Sequence, residues 1–170
     1  NLSRTNLYVN VSVTETNFVN ITYELFNSTG LYNRSVYTTL VLEINWTALP
    51  DEDYSYNVTI YDTALNWNTT ATRTAIIDTI FPLISYGAGT ENDRVNLSRN
   101  WIYVNVSVIE ANEVNITFRL YNLTGMVNTT IFGAGVREIN WTGLADTSYS
   151  YNVSVVDILN RENATSTRRI

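Results

Sequence analysis

Histidine, cysteine, lysine and glutamine are all absent from the 170 residues, and each of the ten positive charges is an arginine. Without cysteine there are no disulfides and no thiolate metal sites, and nothing is said about redox compartment. Without histidine, cysteine or lysine the usual general bases and activated nucleophiles are missing. The lack of lysine also excludes a Lys–Asn isopeptide crosslink. No apolar run approaches the ~18 residues that cross a membrane as a helix. No signal peptide is visible and residue 1 is not methionine, so a processed product or a fragment is expected. The net charge of −6 argues against nucleic acid, whose phosphates call for a basic stripe.

What is present is apolar material, at 45% of residues, enough for one large domain or two small ones. An internal repeat decides for two. Residues 1–75 align without a gap on residues 96–170, and 39 of the 75 positions are identical. "NLSR" at residue 1 returns at residue 96, "EINWT" at 43 returns at 138, and "YSYNV" at 54 returns at 149. A duplication at a 95-residue offset follows. Pro82 and the pair Gly87 and Gly89 punctuate the stretch between the copies. The expected domains are residues 1–77 and 82–170, with residues 78–81 as linker. Residues 82–86 are then the first strand of domain two. Domain one begins at its own "NLSR" and lacks that strand.

The apolar residues alternate with period two. Leu7, Val9, Val11 and Val13 stand between Tyr8, Asn10 and Ser12. Val19, Ile21, Tyr23 and Leu25 stand between Asn20, Thr22 and Glu24. Leu42, Ile44 and Trp46, and then Tyr54, Tyr56, Val58 and Ile60, repeat the pattern. Such alternation, rich in β-branched and aromatic residues, predicts half-buried strands. No window has helical periodicity. The fold class expected is all-β, with two tandem immunoglobulin-like β-sandwiches. Trp46 and Trp141 fall on the apolar phase and are assigned to the cores. Trp67 and Trp101 lack an aromatic counterpart in the other copy and are assigned to covering loops.

The stretches "LPDEDYSYNVTIYDTALN" from residue 49 and "LADTSYSYNVSVVDILN" from residue 144 resemble the late strands of immunoglobulin-like repeats in large archaeal and bacterial cell-surface proteins. In those repeats a loop ending in a tyrosine leads into the sixth strand, and an Asp marks the next turn. Tyr54 and Tyr149 match that tyrosine, and Asp62 and Asp157 match the Asp. The resemblance implies a fold and a setting, not an activity.

A second pattern overlies the strands. Asn-x-Ser/Thr, the N-glycosylation acceptor, occurs in copy one at Asn1, Asn10, Asn20, Asn27, Asn33, Asn45, Asn57 and Asn68. Copy two repeats all eight at Asn96, Asn105, Asn115, Asn122, Asn128, Asn140, Asn152 and Asn163. With 23 asparagines in the chain, chance placement gives roughly five such triplets. Asn10, Asn20, Asn45 and Asn57 lie on the polar phase, where a strand side chain meets water. Asn1, Asn27, Asn33 and Asn68 are expected in or near loops. The pattern predicts covalent N-glycans on both outer faces and an extracellular or cell-surface location, with an archaeal surface favoured.

The acidic residues offer one other chemistry. Asp51, Asp53 and Asp78 fall at one end of domain one, and Glu110, Glu113 and Asp157 at one end of domain two. Hard oxygen ligands of this kind suit Ca²⁺, so a calcium-stiffened domain junction at Asp51, Asp53, Asp78 and Glu110 is a candidate. No loop has a recognised calcium spacing, and no other cofactor is implied. A glycosidase needs two facing carboxylates, and the only duplicated glutamates are Glu15/Glu110 and Glu43/Glu138. They read as surface residues, and no enzyme is expected.

The function expected is that of a structural, heavily glycosylated repeat in an extracellular filament, sheath or surface layer. Its partners are copies of itself or further repeats of the same chain, joined end to end. The alternative is an adhesin or ligand-binding module, for which "IFGAG" at residues 131–135 is the candidate patch. An accessory domain of an enzyme is the third reading.

Overall fold

The computed structural model describes residues 2–170, which hold fifteen β-strands and no helix. Two compact units divide the chain, Asn1–Thr79 and Ile80–Ile170. Each is a sandwich of two antiparallel sheets, so the fold is all-β with two tandem immunoglobulin-like domains.

Domain one contains β1 (Leu7–Asn10), β2 (Phe18–Asn27), β3 (Gly30–Tyr37), β4 (Glu43–Trp46), β5 (Glu52–Asp62), β6 (Trp67–Thr69) and β7 (Arg73–Ile77). One sheet runs β3-β2-β5-β6, with β7 also on β5, and the other is the pair β1-β4. Domain two repeats this as β9 (Trp101–Ile109), β10 (Glu113–Asn122), β11 (Gly125–Gly133), β12 (Glu138–Thr142), β13 (Tyr149–Asp157), β14 (Glu162–Ala164) and β15 (Arg168–Arg169). It adds β8 (Leu83–Tyr86), which makes its smaller sheet three-stranded, β12-β9-β8.

Period-two alternation delivers the cores. Leu7, Val9, Ile21, Tyr23, Leu25, Trp46, Tyr54 and Val58 pack together in domain one. Ile102, Val104, Val106, Ile116, Phe118, Leu120, Trp141, Tyr151 and Val153 do so in domain two. Both tryptophans are core residues, at 7% and 6% exposure. Aromatic pairs are duplicated with the chain. Trp46 tilts on Tyr56 as Trp141 does on Tyr151, and Tyr23 meets Tyr37 edge-on as Phe118 meets Phe132. The edge strand β3 is exposed over most of its length and carries no alternation, so nothing in its sequence announces a strand. Its pairing to β2 through the turn at Gly30, whose φ is +119°, is what holds it extended.

Two turns flagged by sequence act as expected. Asp62 accepts bonds from Ala64 N and Asn66 N at 2.9 and 2.8 Å, and closes the β5–β6 hairpin. Asp157 does the same for Leu159 N and Arg161 N at 2.8 and 2.9 Å. Tyr54 Oη donates to Pro50 O at 3.1 Å, which pins the corner leading into β5. The stretch expected to be linker is held at both ends. Asp78 N donates to Leu2 O and Thr79 N to the Asp51 carboxylate, both within domain one. Phe81 lies under Arg161 and Pro82 O accepts from Asn163 Nδ2, both within domain two.

Burial pushes the Tyr23, Tyr54 and Tyr151 hydroxyls up to about 12. An unfolded tyrosine ionises near 10. Each buried phenol therefore favours the folded state below pH ~10, and that contribution is lost as pH rises through the folded value. Base titration followed by phenolate absorbance and circular dichroism should give folded protein at pH ~10 and cooperative unfolding toward pH ~12. Titration of all twelve tyrosines near pH 10 with the fold intact would contradict this.

Candidate glycan-acceptor sites

The acceptor asparagines are laid out by the strands that carry them. Asn10 on β1 and Asn45 on β4 share the smaller sheet of domain one; Asn20 on β2 and Asn57 on β5 share the larger. Domain two repeats this with Asn105, Asn140, Asn115 and Asn152. Asn33 and Asn68, expected in or near loops, are instead within β3 and β6, because the short edge strands have no apolar alternation to reveal them. Asn27 and Asn122 close β2 and β10 at their hairpin turns. Asn96 is exposed in the segment before β9. Asn1 lies outside the described residues.

Exposure divides the acceptors. Asn10, Asn33, Asn45, Asn68, Asn96, Asn128 and Asn140 are exposed, whereas Asn20, Asn57, Asn105, Asn115, Asn152 and Asn163 are half-buried, as are Asn27 and Asn122. The cause is crowding on the central strands. Asn57 stands opposite Glu24, Asn20 opposite Tyr61 and Asn152 opposite Arg119, all long side chains on the same outer face. Strand phase alone therefore overstates how freely these side chains meet water. In Asn20, Asn57 and Asn152 the atom that is both enclosed and unbonded is Oδ1 and not Nδ2, the atom that takes a sugar.

Hydrogen bonding shows the same polarity. Asn33 Oδ1 accepts from Trp46 Nε1 at 3.1 Å and Asn128 Oδ1 from Trp141 Nε1 at 3.2 Å. Asn27 Oδ1 and Asn122 Oδ1 accept from the N–H and hydroxyl of their own acceptor threonines, Thr29 and Thr124. Asn45 Oδ1 accepts from Asn6 Nδ2. Where Nδ2 is used it gives a single bond: Asn10 to Tyr8 Oη, Asn105 to Tyr103 Oη, Asn27 to Glu52 and Asn163 to Pro82 O. An amide nitrogen has two hydrogens and glycosylation replaces one, so a sugared asparagine keeps one hydrogen to donate.

The Trp–Asn bonds were not legible in sequence. Each ties the edge strand of one sheet to the core tryptophan of the other, and the thirteen-residue spacing has no known signature. Asn33→Ala or Asn128→Ala should leave a half-buried indole N–H unpaired and cost its domain about 1–3 kcal/mol. Urea unfolding measures this, and Asn68→Ala, an exposed acceptor, serves as the control.

The remaining candidates are engaged locally. The Asp51 carboxylate is held by Thr79 N and Oγ1 at 2.9 and 3.0 Å. Asp53 is exposed on β5, and Asp78 is 2% exposed. Glu110 accepts from Asn112 N at 2.7 Å, Glu113 pairs with Arg137, and Asp157 with Arg161. Among the described residues no group of three or more His, Cys, Asp or Glu is placed to hold a metal ion. Glu43 and Glu138 accept from Tyr8 and Tyr103 on the outer faces. In the stretch 131–135, Ile131 is 65% exposed but Phe132 packs edge-on against core Phe118. Trp67 is exposed, and Trp101 is covered by the Arg99 guanidinium at 3.8 Å. No helix among the described residues is long and apolar enough to cross a membrane.

No family model matches the sequence, and no curated protein matches it. Solved structures similar to this chain include tandem fibronectin type III modules. A two-domain segment of chicken tenascin is 12% identical at a TM-score of 0.44, covering 98% of this chain and 92% of that one. The fibronectin(III)-like modules of Clostridium thermocellum CbhA are 11% identical at 0.39, covering 97% and 83%. The FN1–FN3 domains of chicken CNTN1 are 13% identical at 0.43, covering 99% and 60%. Likeness of this degree says nothing about activity, and the fold rests on the strand pairing itself.

Proposed function

We propose that this chain is a structural, glycan-coated repeat of an extracellular filament, sheath or surface layer, assembling end to end. The observation that supports the reading best is the set of sixteen duplicated acceptors, which among the described residues are carried on both sheets of each domain. Sugared faces cannot pack closely together, so neighbouring domains meet through their ends or through edges that carry no acceptor. The lack of histidine, cysteine and lysine fits a part with no chemistry to perform.

Glycopeptide mass spectrometry of native material tests this directly. Sugar is expected at Asn10, Asn45, Asn57 and their copies; bare asparagine at all of them would end the proposal. Imaging of native material is expected to show end-to-end polymers, and particles that stay separate would count against end-to-end assembly.

A further inference from the structure

The two domains differ most in what lies beside β1 and β9. In domain two, β8 pairs with β9, matching Tyr86 to Val106, Ile84 to Val108 and Leu83 to Ile109. Tyr86 meets Tyr151 edge-on and its hydroxyl donates to Tyr151 O and Ser166 O at 3.2 and 2.8 Å. Under it Tyr151, Val153 and Val155 are fully buried. Gly87 then donates to Asn105 O at 2.8 Å, and a Cβ at Gly87 would come within 2.6 Å of Asn105 Oδ1. Any larger residue there would have to push the end of the Asn105 side chain aside.

Domain one has a groove at the equivalent place. It measures about 270 Å³ beside Val9, Val11, Tyr56, Val58 and Ala71, and continues as about 250 Å³ along Val13 and Ile60. By the 95-residue offset, Val11, Val13, Tyr56 and Ala71 are the counterparts of Val106, Val108, Tyr151 and Ser166, the residues that β8 touches. Tyr56 and Ile60 are half-buried where Tyr151 and Val155 are buried. β1 stops at Asn10, whereas β9 continues to Ile109 along β8.

Domain two has the reciprocal feature. In domain one the stretch 76–79 is packed in: Leu2 N donates to Ile76 O, Asp78 N donates to Leu2 O, Thr79 binds Asp51, and Ile77 is fully buried. The counterparts of Leu2, Asp51 and Tyr54, namely Leu97, Asp146 and Tyr149, line an open slot of about 650 Å³. One stretch of chain, 76–86, thus supplies both pieces: its Ile-Ile-Asp-Thr end fills a slot, and its Leu-Ile-Ser-Tyr end fills a groove.

We propose that the groove of domain one and the slot of domain two are docking sites for connector segments of the 76–86 type, carried by further repeats of this protein. Each connector seats its first half in one repeat and its second half in the next. In the groove the occupant runs antiparallel to β1, with its tyrosine opposite Val11, its isoleucine opposite Val13 and a glycine after the tyrosine beside Asn10. This is strand addition to an open sheet edge, in which backbone bonds give affinity and alternate side chains give register. The inference deepens the repeat-protein reading by naming the partner segment.

The test uses the unglycosylated 170-residue chain, so it is independent of acceptor occupancy. Extending the chain upstream of Asn1 by a second copy of residues 82–95 should raise the melting temperature of domain one by about 5 °C or more. Amide signals of Val11, Val13, Tyr56 and Ala71 should shift and become protected from exchange. Carrying Ile84→Asp and Tyr86→Ala in the added copy should abolish the gain. An added peptide of sequence TAIIDT should shift Leu97 and Tyr149. No gain from the extension, an equal gain from the substituted copy, or no response of the slot to TAIIDT would overturn the proposal. So would dimerisation of the unextended chain by exchange of its own β8.

Discussion

Tyr151→Ala is expected to destabilise domain two by about 3–5 kcal/mol, and Tyr56→Ala to destabilise domain one by clearly less. The two tyrosines are the same residue of the repeat and lean on the same tryptophan, at 6.2 Å between ring centroids in both cases. They differ in what lies on their other side. Tyr151 is fully buried beneath Tyr86, so truncation leaves a cavity walled by Trp141 and Tyr86. Tyr56 borders an open groove that already admits water, so its removal enlarges a cleft and opens no enclosed void. Hydrogen exchange at the core amides of each domain reads the two stabilities separately within one molecule. Equal losses at both positions would mean that the groove of domain one is closed in solution.

The Asp turns supply the second contrast. Asp157→Asn is expected to cost about 3–5 kcal/mol, because it removes the carboxylate from a guanidinium held against apolar surface. The Asp157 side chain is fully buried and that of Arg161 only 10% exposed, with the guanidinium 4.9 Å above the Phe81 ring. In domain one the partner of Asp62 is Asn66, a neutral amide at 2.8 Å on an exposed turn. There Asn66 Nδ2, Asn66 N and Ala64 N hold the Asp62 carboxyl below its usual range. Asp62→Asn should therefore cost clearly less, a neutral amide replacing a charged acceptor on an exposed turn. The double variant Asp157→Asn with Arg161→Asn replaces the ion pair by two neutral amides and should recover much of the loss. Failure of that rescue would place the cost in the backbone turn and not in the ion pair.

How much of this was legible beforehand varies with the physics behind each feature. Val9, Ile21, Tyr23, Val58 and their copies could be assigned to the core because burial on one sheet face imposes period two on the chain. The Asp turns and Trp46 and Trp141 were legible for related reasons, a local Asx bond and an apolar phase. Strands β3 and β11 were not, since an edge strand is extended by its partner's backbone and needs no apolar alternation of its own. Asn33 on β3 and Asn68 on the edge strand β6, expected in or near loops, escaped the alternation for the same reason. The bonds from Trp46 to Asn33 and from Trp141 to Asn128 cross between sheets, and no local spacing encodes such a contact.

The sequence alone determined the duplication, the all-β class, the two cores and every acceptor triplet, because each is written in local order: a repeat offset, an alternation, or a three-residue pattern. It also determined that histidine, cysteine and lysine are absent. Tertiary structure decided what strand phase could not, namely which outward asparagines are crowded by long neighbours and which stand clear. It decided as well that the same sequence motif has different surroundings in its two copies. Val11 and Val106 are the same residue in the same "YVNVSV", yet Val106 lies buried under a paired strand and Val11 lines an open groove. Burial depends on what packs alongside, and for a strand that neighbour comes from a distant part of the chain.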